Sequence, residues 1–113
     1  MEHGILAVQT EAKPGQEEEF NTWYDEVHVP EILATPGFDA CRRYRIRRSP
    51  LAPEGHEDEW GKYLAIYEIS GPDLVVAHTE LLQRFRSGEL TMGESLAPHP
   101  YRSQLFEQIW GRA

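Results

Sequence analysis

A single cysteine, Cys41, stands in the whole 113-residue chain, so no internal disulfide can form. Lone thiols suit a reducing compartment, and the expectation is a cytoplasmic protein. Bases are scarce too: 11 lysines and arginines stand against 19 acids, for a formal charge of −8. Affinity for nucleic acid comes mainly from neutralising phosphates, so a chain this acidic is read as having no nucleic-acid partner. The same charge argues against an anionic membrane surface. No apolar stretch approaches the roughly 20 residues that span a bilayer. The first residues, MEHGILAVQT, lack a basic segment ahead of their short apolar run and do not read as a secretion signal.

Chemistry-bearing motifs are also missing. There is no glycine-rich phosphate loop, no Gly-x-Ser-x-Gly elbow and no dinucleotide fingerprint. No histidine or cysteine pair has the spacing of a metal site, so neither metal nor cofactor is expected. His78, with Val75, Leu81 and Leu82 near it, reads most simply as a partly buried structural histidine. His3, His56 and His99 are isolated, and His56 sits in an acidic loop.

What is there fits one domain spanning residues 1–113. Gly4–Thr10 is a short apolar run that ends at the turn Lys13-Pro14-Gly15, as a buried strand does. Glutamates then open a helix on which Phe20, Trp23, Tyr24 and Val27 recur at one-face spacing. Pro30 restrains Val29, which predicts a helix end near His28 and a short second helical turn from Pro30. Phe38–Arg48 reads as a strand, with Phe38, Ala40, Arg42, Tyr44 and Ile46 on one face. Ser49–Glu59 reads as an acidic loop, and Trp60–Ile69 as a strand presenting Tyr63, Ala65, Tyr67 and Ile69 together. The helix LVVAHTELLQRFRSG follows Gly71-Pro72-Asp73, and Tyr101–Trp110 is the last strand. The order βαββαβ is ferredoxin-like, an α+β class with a four-stranded antiparallel sheet. Two helices cover one sheet face, and a second copy is the simplest cover for the other, so a homodimer through the sheet is expected.

The pattern Phe20-x-x-Trp23-Tyr24-Asp25-Glu26-x-His28-x-Pro30, followed by Pro36-Gly37-Phe38 and Arg43-Tyr44, resembles the EthD-like group of dimeric α+β barrel proteins. That superfamily includes cofactor-free monooxygenases, lactone isomerases, polyketide cyclases and dehydratases, haem-degrading enzymes and proteins of no known activity. The resemblance implies a dimeric α+β barrel. In lactone methylisomerases of the superfamily a histidine ending the first helix lies in the pocket between sheet and helices, and His28 occupies the matching place. Those proteins also carry a tyrosine a few residues after the Pro-Gly turn, where this chain has Cys41 and then Tyr44.

Imidazole transfers protons near neutral pH, which suits His28 to acid–base work. Tyr24, one turn earlier, and Tyr44 are the candidate catalytic companions. Asp25, Glu26 and the helix end are expected to favour protonated His28. The competing reading makes His28 a cap of the last helical carbonyls. Trp23, Tyr63, Tyr67 and Trp110 are candidate walls for a flat small-molecule ligand. Arg43, from the run Arg42-Arg43-Tyr44-Arg45-Ile46-Arg47-Arg48, is the candidate anchor for a carboxylate, and the rest of the run is expected to pair with acids such as Glu68. The function expected is cofactor-independent acid–base chemistry on a small cyclic or aromatic metabolite, of isomerase, dehydratase or cyclase type. The alternatives are a non-catalytic binding or assembly protein and a cofactor-free monooxygenase.

Overall fold

A computed structural model describes residues 1–47, 49–51, 61–98 and 101–113. Arg48, most of the acidic loop with His56, Trp60 and His99 lie outside the described residues. The elements are β1 (Glu2–Thr10), α1 (Glu17–Trp23), a π-helical turn (Tyr24–His28), α2 (Val29–Leu33), β2 (Phe38–Arg45), β3 (Tyr63–Gly71), α3 (Leu74–Arg86) and β4 (Arg102–Glu107). They form a four-stranded antiparallel sheet in the order β2-β3-β1-β4. The expected ferredoxin-like α+β arrangement is the observed one.

Local chemistry accounts for the element ends. Glu17, Glu18 and Glu19 sit in the first turn of α1, where the partial positive charge of the helix end favours them. The Asp73 carboxylate accepts hydrogen bonds from the Val75 and Val76 amides at 2.8 and 3.3 Å, capping α3. Gly37 turns the chain into β2 with φ of 91°, and a Cβ there would lie 2.8 Å from the Ser70 carbonyl oxygen. No other residue type fits that turn without displacing β3.

The first helix does not end at His28. From Glu17 to Leu33 the backbone stays helical, and the residues flanking each segment boundary hold right-handed helical angles. In a regular α-helix the Pro30 ring would clash with the carbonyl four residues back, and its missing N–H would leave that carbonyl unpaired. The wider turn relieves both problems by lengthening the ladder: the Val29 amide donates to the Tyr24 carbonyl, five residues back. Pro30 then sits at the start of α2, where no amide proton is required.

A second correction concerns β2. A bulge between Phe38 and Ala40 shifts the register, so Phe38 opposes Ile69 while Cys41, Arg43 and Arg45 oppose Tyr67, Ala65 and Tyr63. Phe38 therefore shares the helix-side face with Cys41 and Arg43, and not with Ala40, Arg42 and Tyr44. The core lies on that side. Leu6, Tyr63, Ala65, Tyr67 and Ile69 from the sheet pack against Phe20, Tyr24, Ile32, Leu74 and Leu81 from the helices, with Leu90 beneath the following loop. Phe20 and Tyr67 are wholly buried. Each such aromatic contributes about 1.5–3 kcal/mol through burial, so the sheet-helix layer is where the chain's stability resides.

No helix among the described residues covers the other sheet face. Ile5, Leu64 and Ile66 are half-buried there, Tyr44 is 51% exposed and Phe106 is 47% exposed. A groove of about 460 Å³ crosses it past His3, Ile5 and Phe106.

Candidate functional site

The π-helical turn decides where His28 points. Its extra residue brings His28 to the inner side of the helix with Phe20, Tyr24 and Ile32, and leaves Val27 only half-buried. His28 is 6% exposed. Trp23 stacks on its ring at 4.5 Å between centroids with 28° between planes, and Tyr24 meets it edge-on at 4.8 Å. Phe85 of α3 closes the far side at 6.1 Å.

His28, Trp23, Tyr24 and Tyr67 border a cavity of about 320 Å³ between helices and sheet. That volume is at the lower end for small-molecule pockets. Leu6, Val8 and Thr10 form its floor on β1, and His78, Leu81, Leu82 and Phe85 of α3 form a wall. Met92, Leu96, Tyr101 and Ser103 complete it. Met92 and Tyr101 are 50% and 53% exposed and mark the mouth.

Electrostatics inside the cavity follow from burial. Burial lowers the His28 pKa to about 4; Glu31 opposes that fall and Arg43 adds to it. The expectation of a protonated imidazole is overturned, because the helix does not end there and Asp25 is held by Arg43 at 2.6 Å. Burial pushes Tyr24 up to about 12 and raises Tyr67 as well, so both hydroxyls stay protonated. His78 is half-buried and is also lowered by burial.

Two polar atoms at this site have no partner. His28 Nδ1 and the Tyr67 hydroxyl are both buried and make no hydrogen bond, although the Tyr24 hydroxyl is beside that of Tyr67. Unpaired buried groups each cost about 1–3 kcal/mol.

The remaining expected site residues lie elsewhere. Tyr44 opposes Leu64 on the open face and is separated from His28 by the sheet. Arg43 does not line the cavity. Its guanidinium covers the Tyr24 ring at 4.3 Å and donates to Asp25 at 2.6 Å and Asn21 at 2.8 Å, while its buried Nε has no partner. Tyr63 is buried, and its hydroxyl donates to Glu17 at 2.7 Å. Trp110 follows the end of β4 and is 75% exposed. Arg42 pairs with Glu68 at 2.7 Å, as the sequence suggested. Among the described residues no three of His, Cys, Asp and Glu converge as metal ligands do.

Sequence reasoning missed the wall that α3 supplies. His78, Leu81, Leu82 and Phe85 have the spacing of one helical stripe, which was the available signal. It also missed the loop from Glu89 to Pro98, which carries no periodicity. Leu90 is buried, the Trp23 indole N–H donates to the Thr91 carbonyl at 2.9 Å, and the Thr91 amide donates to Glu31 at 2.6 Å.

A family model described as "Domain of unknown function (DUF4286)" matches residues 3–89. The chain belongs to the DUF4286 family. Among curated proteins none matches. Two solved structures share the fold of this DUF4286 protein. One is a protein of unknown function from Nitrosomonas europaea, at 17% identity and a TM-score of 0.56, covering 100% of this chain and 95% of that one. The other is an EthD family protein from Bacillus halodurans, at 15% identity and a TM-score of 0.53, covering 96% of this chain and 100% of that one. The fold is thus EthD-like. No helix among the described residues is long and apolar enough to cross a membrane.

Proposed function

We propose that this DUF4286 protein is a cofactor-independent enzyme that moves protons on a small cyclic or aromatic metabolite. One observation carries the reading: a buried imidazole whose Nδ1 has no protein partner stands at a cavity of small-molecule size. With a pKa near 4, His28 is in its basic form at neutral pH. It takes a proton from a carbon beside a substrate carbonyl, leaving an imidazolium and an enolate. The two charges form in a dry cavity, where their attraction is stronger than in water. The hydroxyl of Tyr67, or of Tyr24 beside it, stays protonated and donates to the enolate oxygen. Return of the proton to a different carbon completes an isomerisation, and its transfer to a leaving hydroxyl completes a dehydration.

The low basicity of His28 favours a second reading. A base whose pKa lies well below the working pH gives a smaller catalytic benefit, and a ligand carrier with the same cavity needs no base. In either case we place the protein in the cytoplasm as a homodimer packed through the open sheet face, where Ile5, Leu64, Ile66, Tyr44 and Phe106 await cover.

Deuterium exchange tests the catalytic reading. The protein is incubated in heavy water with enolisable cyclic ketones such as 2-tetralone, and label uptake is followed by mass spectrometry. Wild type should accelerate exchange, and His28→Ala should lose about 10²–10⁴-fold of that acceleration. Exchange at the buffer rate across the ketone panel would leave the carrier reading.

A further inference from the structure

The cavity is bordered by sixteen residues, and none of those described is Asp, Glu, Lys or Arg. That is notable in a chain with 19 acids and 11 bases. The charged groups nearby are tied down elsewhere. Arg43 packs over the Tyr24 ring and is bonded to Asp25, and Glu31 accepts from the Thr91 amide. Neutral polar side chains border it, among them Thr10, Tyr24, His78 and Ser103, and two of its polar atoms, His28 Nδ1 and the Tyr67 hydroxyl, are buried and unpartnered. We propose that this cavity takes uncharged apolar ligands bearing one hydroxyl or carbonyl group, and rejects carboxylates and phosphates of the same shape. Moving an ionised group from water into such a lining is strongly unfavourable unless a counter-charge meets it, and none of the described residues bordering the cavity supplies one. A single hydroxyl, by contrast, can donate to His28 Nδ1 and accept from Tyr67, and a carbonyl can accept from Tyr67.

This proposal rests on the cavity being a ligand site, and it is tested by binding rather than turnover. Titration calorimetry near pH 7 compares 2-naphthol, which is neutral there, with 2-naphthoate, an anion of nearly the same shape. The expected result is a Kd for 2-naphthol lower by at least about tenfold. Leu82→Lys adds a cation to the lining at a position already 37% exposed, so the fold should tolerate it. That variant should bring the two affinities together by improving the naphthoate. Equal affinities in wild type, tighter naphthoate binding, or no binding of 2-naphthol up to its solubility would each overturn the proposal. Selective naphthol binding without ketone exchange would remove the catalytic reading and leave this one standing. Ketone exchange with no preference between the two probes would do the opposite.

Discussion

Trp23 and Gly93 touch more closely than any larger residue at position 93 permits: a Cβ on Gly93 would lie 2.5 Å from Trp23 Cδ2. The same indole stacks on His28 and donates to Thr91, so one ring joins the α3–β4 loop to the proposed base. Gly93→Ala should therefore push the loop off the indole. Chemical denaturation should show a loss of about 1–3 kcal/mol, the usual cost of overpacking. Trp23 fluorescence should shift to the red as water reaches the ring. An alanine variant with native stability and an unshifted spectrum would mean that the loop does not rest on Trp23.

Buried His28 should make stability depend on pH. Its pKa falls from 6.5 to about 4 on folding, so between those values the unfolded chain binds the proton more readily. Stability then rises with pH across that window and is level above it. The gap corresponds to roughly 3 kcal/mol, lost progressively as pH falls toward 4. Urea unfolding of wild type and His28→Gln at a series of pH values checks this. The variant should show a shallower slope between pH 6.5 and 4, whereas parallel slopes would mean that His28 titrates normally.

Arg43 is a strap rather than a substrate anchor, and Arg43→Lys separates the two roles. Lysine cannot cover Tyr24 and hold Asp25 and Asn21 at once, so stability should fall by roughly 1–2 kcal/mol. Affinity for 2-naphthol should stay at the wild-type value, since Arg43 does not border the cavity. An unchanged melting curve with lost affinity would restore the anchor role.

Light scattering should give about twice the 13.0 kDa chain mass at micromolar concentration. Ile66→Asp places a carboxylate in the middle of the open face, next to Arg42 on β2, and should yield a monomer. Wild type at 13 kDa over a wide concentration range would end the case for a sheet-to-sheet dimer.

The element order was legible because turn chemistry and apolar period agree: Lys13-Pro14-Gly15, Pro36-Gly37 and Gly71-Pro72-Asp73 each separate two periodic segments. His28, Tyr24, Trp23 and Tyr67 were legible as a group because one helix and one strand face carry them. Two features were not. Pro30 announces a break, yet widening one turn satisfies the same steric demand without ending the helix, and that choice depends on what packs around Tyr24 and His28. The bulge at Phe38 and Ala40 is silent in the alternation, so strict period two assigned Phe38 to the face of Tyr44. Arg43 misled for a related reason. A guanidinium suits a carboxylate ligand and an internal Asp25 equally well, and only tertiary placement distinguishes them.

The sheet order leaves β2 at an edge, with its outer row of backbone donors and acceptors unpaired by any strand among the described residues. Such a row is a template on which another chain can extend the sheet, the first step toward aggregation. Arg42, Arg43 and Arg45 lie along that strand, and the bulge at its start spoils the straight ladder that a docking strand needs. Two copies meeting edge to edge through β2 would bring these guanidinium groups together. Arginines placed along the sheet's margin thus disfavour the pairing of two copies through that edge.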